Sequence, residues 1–277
     1  MAAPGEGEST IKESWLQGMT SMKQRTAAAE KTDARRKFGN FKKEEAKVIR
    51  MPKVKEDKTL AYLAERWKRF NEIIGYATTE NMYSNPQLLV ELASEVIRRR
   101  SISSKDIAKF CIFVNGLEEH GDKIWHYSNI GIFISGMTEQ GQGRTYEIPA
   151  HLLDYSVALG CRNRKNLIVR GNAQDIGTKM EGGSITLYGN VYVVGSGLRG
   201  GKIIVNGNVA RYDSPIGYKM TGGIIIVNGD TKKEVDYMRG GEVHLNGKWK
   251  GDREKVLVGL HNDAGKIYHN GELVFDK

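Results

Sequence analysis

The chain has 277 residues, enough for one or two domains, and its composition is ordinary except for 33 glycines. No apolar run approaches membrane-spanning length and no signal-peptide core follows Met1, so a cytoplasmic, soluble protein with no membrane partner is expected. The formal charge of +9 favours an acidic partner, and Cys111 and Cys161, with neither metal nor redox spacing, read as small buried hydrophobes.

Residues 1–57 read as a flexible basic arm. Ser9 is placed to cap a short helix over 9–22, with Ile11, Trp15, Leu16, Met19 and Met22 on one side. Trp15 on such an isolated amphipathic segment is a candidate contact for a partner's groove. Residues 1–56 hold thirteen Lys/Arg against eight Asp/Glu, so about five of the nine net charges lie here. Basic arms bind phosphate backbones through counterion release, which makes nucleic acid a candidate partner. The interspersed acids fit a solvated linker equally well.

Residues 58–116 read as a helical module. Leu60, Leu63, Trp67, Phe70 and Ile74 form one apolar stripe, and Gly75 ends the helix. Asn85-Pro86 opens a second helix, with Asn85 as its cap. That helix closes in Arg98, Arg99 and Arg100, where cations complement the dipole and are also candidate phosphate or partner contacts. Ser103 and Asp106 form a capping box for a third helix, and Ile102 and Ile107 a hydrophobic staple. The second and third helices are spaced like a helix-turn-helix, but so are many helical hairpins that never touch DNA.

Residues 117–165 read as the irregular first coils of the next domain. Glu118, Glu119, His120, Asp122 and His126 match no metal-ligand spacing and read as a solvated loop. Ile130-Gly131-Ile132-Phe133-Ile134 predicts a strand, and 136–143 a loop.

From 166 the chain repeats. Four glycine pairs, Gly182-Gly183, Gly200-Gly201, Gly222-Gly223 and Gly240-Gly241, are separated by 18, 22 and 18 residues. A β-branched run follows each pair and ends in another Gly, as in Lys202-Ile203-Ile204-Val205-Asn206-Gly207. Met180, Leu198, Met220 and Met238 lie two residues before the pairs and predict an interior ladder. A fixed period of this size predicts a solenoid, with the glycines at its turns. Asn-Gly commonly marks a hairpin, so an antiparallel meander is the competing reading. The third copy is four residues longer, around 208–216, and Tyr212 in that loop is a further candidate partner contact. The fourth copy has Val235 where the spacing calls for Gly. The fold expected is α+β: an N-terminal helical segment, then a single-stranded β-helix over 166–277 with a C-terminal cap.

The pattern in Gly189-Asn190-Val191-Tyr192-Val193-Val194-Gly195-Ser196-Gly197-Leu198-Arg199-Gly200-Gly201 resembles the Gly-rich β-helix domain at the C-terminus of the glutamate synthase large subunit. It is also similar to the corresponding Gly-rich component of formylmethanofuran dehydrogenase and its relatives. The resemblance covers about 166–250. It implies a non-catalytic scaffold within a larger oxidoreductase, amidotransferase or formyl-transfer assembly, with protein partners.

Motifs for chemistry are sparse. The letters of a dinucleotide fingerprint occur at Gly195, Gly197 and Gly200, but they precede a strand instead of opening a helix. No catalytic residue, cofactor or metal is assigned. The reading is therefore a scaffold subunit, with a nucleic-acid-associated protein as the alternative.

Overall fold

The computed structural model describes residues 57–74, 85–98, 101–116, 123–153, 158–210, 215–232, 234–250 and 262–277 (for 123–128, the backbone only), and among these described residues four α-helices precede ten strands. All of these fall within one unit, Glu56–Lys277. The arm's helix and its Trp15 lie outside the described residues, as do Arg99, Arg100 and Tyr212.

Helix α1 (Lys58–Ile74) starts at Asp57, whose carboxylate accepts the backbone N–H groups of Thr59 and Leu60 at 3.1 Å. Its stripe buries Leu63, Trp67 and Phe70. Helix α2 (Pro86–Val96) has Pro86 at its first position, but Asn85 makes no side-chain capping bond. Helix α3 (Ser104–Asn115) carries the reciprocal capping box of Ser103 and Asp106, and Ile102 and Ile107 are both buried beside it.

The strand expected at 130–134 is instead the middle of helix α4 (Lys123–Gln140), which also takes in much of the expected 136–143 loop. The physical reason is burial on all sides. Ile130, Ile132, Phe133, Ile134 and Met137 are all buried, so no polar face remains to print a helical period. Phe133 packs against Trp67 and Phe110, with centroids 5.1 and 5.2 Å away. Gly136 lets α4 approach α2: a Cβ there would lie 2.7 Å from that of Ala93.

Strand β1 (Thr145–Ile148) leads into the solenoid. The long sheet continues through β2 (Asn166–Arg170), β4 (Ser184–Tyr188), β6 (Lys202–Val205), β7 (Ile224–Val227), β8 (Arg239–Leu245) and β9 (Ala264–His269), each parallel to its neighbours. Parallel stacking excludes the meander. A second wall pairs β3 (Ala173–Ile176) with β5 (Val191–Val194) and continues as single bridges through Val209, Thr231 and Trp249. A third runs through Leu159, Ile176, Val194, Ile216 and Val235. Strand β10 (Glu272–Asp276) turns back antiparallel on β9 and closes the end.

Met180, Leu198, Met220 and Met238 are fully buried at one corner of successive coils. The row ends in asparagine on both sides. Asn163 precedes Met180, and its amide donates to the Lys165 carbonyl and accepts the Lys165 N–H. Asn262 follows Met238 and accepts that residue's N–H at 2.9 Å. A terminal coil has backbone groups with no next coil to pair with, and a buried amide meets that need.

The glycines act in two ways. In Gly183, Gly201, Gly223 and Gly241 φ is +70, +84, +87 and +86, and a Cβ would run into backbone of the preceding coil. Their partners Gly182, Gly200 and Gly222 lie just outside the strands, whereas the fourth pair, Gly240-Gly241, is drawn into β8 at a bulge. Val235 occupies no glycine position. It continues the apolar row of the third wall, three residues before Met238, where Ile216 stands four before Met220. The fourth coil is one residue shorter there and the turn glycine has been dropped. The four extra residues of the third coil fall between Val209 and Ile216, seven apart where Val191 and Val194 are three apart.

The helical module closes the first end of the solenoid. Ser135 of α4 accepts the Gly160 N–H at 2.9 Å, Lys165 donates to the Thr138 carbonyl at 2.7 Å, and Ser104 of α3 accepts the Glu147 N–H of β1 at 3.0 Å.

Candidate functional site

Alternation along each strand of the long sheet sends one set of side chains inward and the other out. Leu167, Val169, Ile185, Ile203, Val205 and Ile225 are buried. Between them Ile168, Thr186, Ile204, Ile226, His244 and Tyr268 point out, and the parallel register places them side by side in one row across six strands. Each is half-buried. The row ends in a ring stack: His244 lies flat on Tyr268, with centroids 4.5 Å apart and 5° between planes. An outward face of a solvated sheet ordinarily alternates to polar residues. Here it carries an apolar stripe.

Polar ladders border the stripe. The amide of Asn228 donates to Asn206 and that of Asn246 to Asn228, both at 2.8 Å. One corner further on, Asn172, Asn190, Asn208 and Asp230 each accept the backbone N–H of the next coil, at 2.7–2.9 Å. These bonds fix the coil-to-coil spacing at two adjacent rows, so the outer face is stiff. At the first end of the face, Arg170 pairs with Glu147 and lies over the Tyr188 ring.

Chemically the face offers mainly apolar contact, with the His244 imidazole 3.2 Å from the Glu242 carboxylate at its far end. The titratable groups with strong shifts lie elsewhere, near the junction of the helices with the first coils. Burial pushes the Asp175 carboxyl up to about 6, against the Thr178 hydroxyl and the Ala158 N–H that favour its ionised form. Burial likewise holds the thiols of Cys161 and Cys111 at about 12, with Asp175 adding to the effect on Cys161. Such thiols are protonated at neutral pH and are poor nucleophiles. Burial lowers Lys165, whose ammonium sits among backbone carbonyls at the end of α4. Among the described residues no His, Cys, Asp or Glu cluster could hold a metal ion, and no helix is long and apolar enough to cross a membrane.

Of the basic residues singled out in sequence, Arg98 follows α2 and pairs with Glu95 at 3.2 Å. Arg162 pairs with Glu91 and Arg164 with Glu181. The structure brings Met180, Leu198, Met220 and Met238 together inside the solenoid, remote in role from any surface contact. The outward row was missed in sequence. Its signal was present: Ile203-Ile204-Val205 and Ile224-Ile225-Ile226-Val227 are unbroken apolar runs, which a strand wet on one face does not need. No protein-family model, curated protein or solved structure matches this chain.

Proposed function

We propose that this chain is a non-catalytic scaffold subunit that seats a protein partner on the outer face of its long sheet. The observation that carries the reading is the in-register row Ile168, Thr186, Ile204, Ile226, His244 and Tyr268 on a face left half-exposed by the chain's own described elements. Six strands at about 4.8 Å spacing make a stripe roughly 25 Å long. If about 400 Å² of it were covered, the gross gain would be roughly 10 kcal/mol at about 25 cal/mol per Å². Association costs on the order of 4–15 kcal/mol, so the stripe alone is marginal. A stable partner must therefore also engage the flanking asparagine ladders and the Arg170 end, towards the roughly 800 Å² per side of an ordinary interface. The resemblance of the Gly-rich repeat to the glutamate synthase domain supports a place in an oxidoreductase, amidotransferase or formyl-transfer assembly. In that reading the helical module and the basic arm are this chain's own attachment devices.

The alternative, a nucleic-acid-associated protein, rests on the basic arm of residues 1–56 and on the helical module with its Arg98, Arg99 and Arg100. The described Arg98, Arg162, Arg164 and Arg170 all face carboxylates, which leaves them less available to phosphate.

Affinity capture of the full chain from native cells tests the scaffold reading. Wild type is expected to retain a stoichiometric protein partner, and an Ile204→Lys/Ile226→Lys variant to lose it while keeping its circular dichroism spectrum. A monomeric wild type with no stoichiometric partner overturns the reading. So does a low-salt mobility shift on DNA or RNA, abolished by deleting 1–56, as the only interaction found.

A further inference from the structure

The outward face of the long sheet complements itself. Alternate residues of each strand point out, and the parallel register aligns them in columns along the stack. The middle column is the row from Ile168 to Tyr268. One flank reads Asn166, Ser184, Lys202, Ile224, Glu242 and Lys266. The other carries Arg170, Tyr188 and the amide ladder of Asn206, Asn228 and Asn246. Resting on the reading of this face as a docking surface, we propose that the partner seated on it is a second copy of this chain. The two copies are related by a two-fold axis that runs parallel to the strands and passes between Ile204 and Ile226.

The order of the side chains carries the inference. Such an axis lays the columns of one copy in reverse against the same columns of the other. Ile204 then meets Ile226 of the second copy, and Ile168 meets Tyr268. Thr186, second from one end of the row, meets His244, second from the other. Polar side chains thus face each other and neither is buried against hydrocarbon alone. His244 Nε2 lies 3.2 Å from the Glu242 carboxylate, so Nδ1 is the atom left to receive the Thr186 hydroxyl. On the first flank the charged side chains fall in the order Glu242, Lys202, Lys202, Glu242, with successive members from alternate copies. Each lysine has a glutamate of the other copy one strand away, about 4.8 Å along the stack. Lys266 meets Asn166 and Ser184 meets Glu242, so no two like charges lie directly opposite. On the second flank Asn206 meets Asn228, and both are amides able to donate and accept. A two-fold axis along the stack would instead set His244 on His244 and place Lys202 and Glu242 against neutral amides of the opposite flank. A face built for an unrelated protein has no need of this symmetry.

The face measures roughly 25 by 20 Å, and aligned sheets pack about 10 Å apart with interdigitated side chains. That size is at the small end of specific interfaces, and a reversible dimer with Kd on the order of 1–100 µM is expected.

The experiment is sedimentation velocity of the full chain from about 0.5 to about 200 µM, which brackets that affinity. Wild type is expected to pass from monomer to dimer across the range. Ile204→Lys and Ile226→Asp should each weaken the dimer at least about tenfold. An equimolar mixture of the two should regain it, because in the mixed dimer the new charges face each other and so do the remaining isoleucines; this also shows that both variants fold. A bismaleimide of about 10 Å reach, the spacing of packed sheets, should join Thr186→Cys to His244→Cys and leave either alone uncrosslinked. The native Cys111 and Cys161 are buried. A dimer indifferent to both isoleucine variants, a mixture that stays monomeric, or Thr186→Cys crosslinked to itself overturns the proposal. So does a wild type that is monomeric throughout. If that monomer still captures a different protein through Ile204 and Ile226, the scaffold reading stands without the second copy; if it captures nothing, both fall.

Discussion

Asp175 and the stacked glycines show how far single residues set the behaviour of this chain. The Asp175 carboxyl is fully buried and titrates at about 6, above its ordinary value of 3.8. Below about pH 3.8 the folded and unfolded states are both protonated at this group and it has no effect. Between about 3.8 and 6 the unfolded state releases its proton first, so stability falls as pH rises. Above about 6 the full deficit applies, roughly 3 kcal/mol for a shift of this size. Asp175→Asn should therefore raise stability at pH 7.5 by about 1–3 kcal/mol and leave it little changed near pH 4, as read by urea unfolding at the two pH values. An equal effect at both would show that the carboxyl does not titrate as described. Gly207 tests close approach. A Cβ there would press into the Gly189 carbonyl of the coil before, whereas at Gly182 nothing lies within 4 Å. Gly207→Ala should cost about 2–3 kcal/mol by overpacking, and Gly182→Ala less than about 0.5 kcal/mol, although both look alike in sequence.

At the scale of elements, what was legible depended on whether a segment has one wet side. Helices α1 and α3 each keep a polar face, and their stripes and the Ser103–Asp106 capping box stood in the sequence. Helix α4 keeps none, so Ile130–Ile134 read as a strand. A short apolar run cannot separate the two by periodicity alone. Asn-Gly carried a similar ambiguity. At 206–207, 228–229 and 246–247 it leads from one strand of a parallel stack into the next corner, and only Asn270-Gly271, with φ of +50 and +82, closes an antiparallel hairpin. The dipeptide is the same; the presence of a further coil to pair with decides the outcome. Spacing alone also misplaced Val235, because letters cannot distinguish a substituted glycine from a deleted one. The terminal asparagines Asn163 and Asn262 gave no sequence signal, since their role exists only where the stack ends. Two measurements belong here. Leu198→Ala removes a fully buried rung between two flexible methionines and should cost about 2–5 kcal/mol, towards the lower end if Met180 and Met220 relax into the space. Ser103→Ala should cost about 1 kcal/mol, and both are read by chemical denaturation.

The described residues of the unit Glu56–Lys277 share one continuous apolar core, from Leu63 in α1 to Phe275 in β10. The helices close the first end of the solenoid, and β10 closes the other. The repeat gave the fold away because a period of this kind survives in the letters. The outward row was harder to read, because inward and outward isoleucines look the same until the register is known. Ile203 is interior and Ile204 exterior, one residue apart. What the repeat builds is a surface on which a row of largely apolar side chains is held at fixed spacing, and the proposed scaffold role rests on that surface. Side-chain oxidation footprinting tests it most directly, comparing the free chain with the chain in the complex recovered from native cells. Protection on assembly is predicted at Ile168, Ile204, Ile226 and Tyr268, with little change at Leu273 on β10. Unchanged oxidation along that row, with protection confined to the helical module or to residues 1–56, would contradict the account.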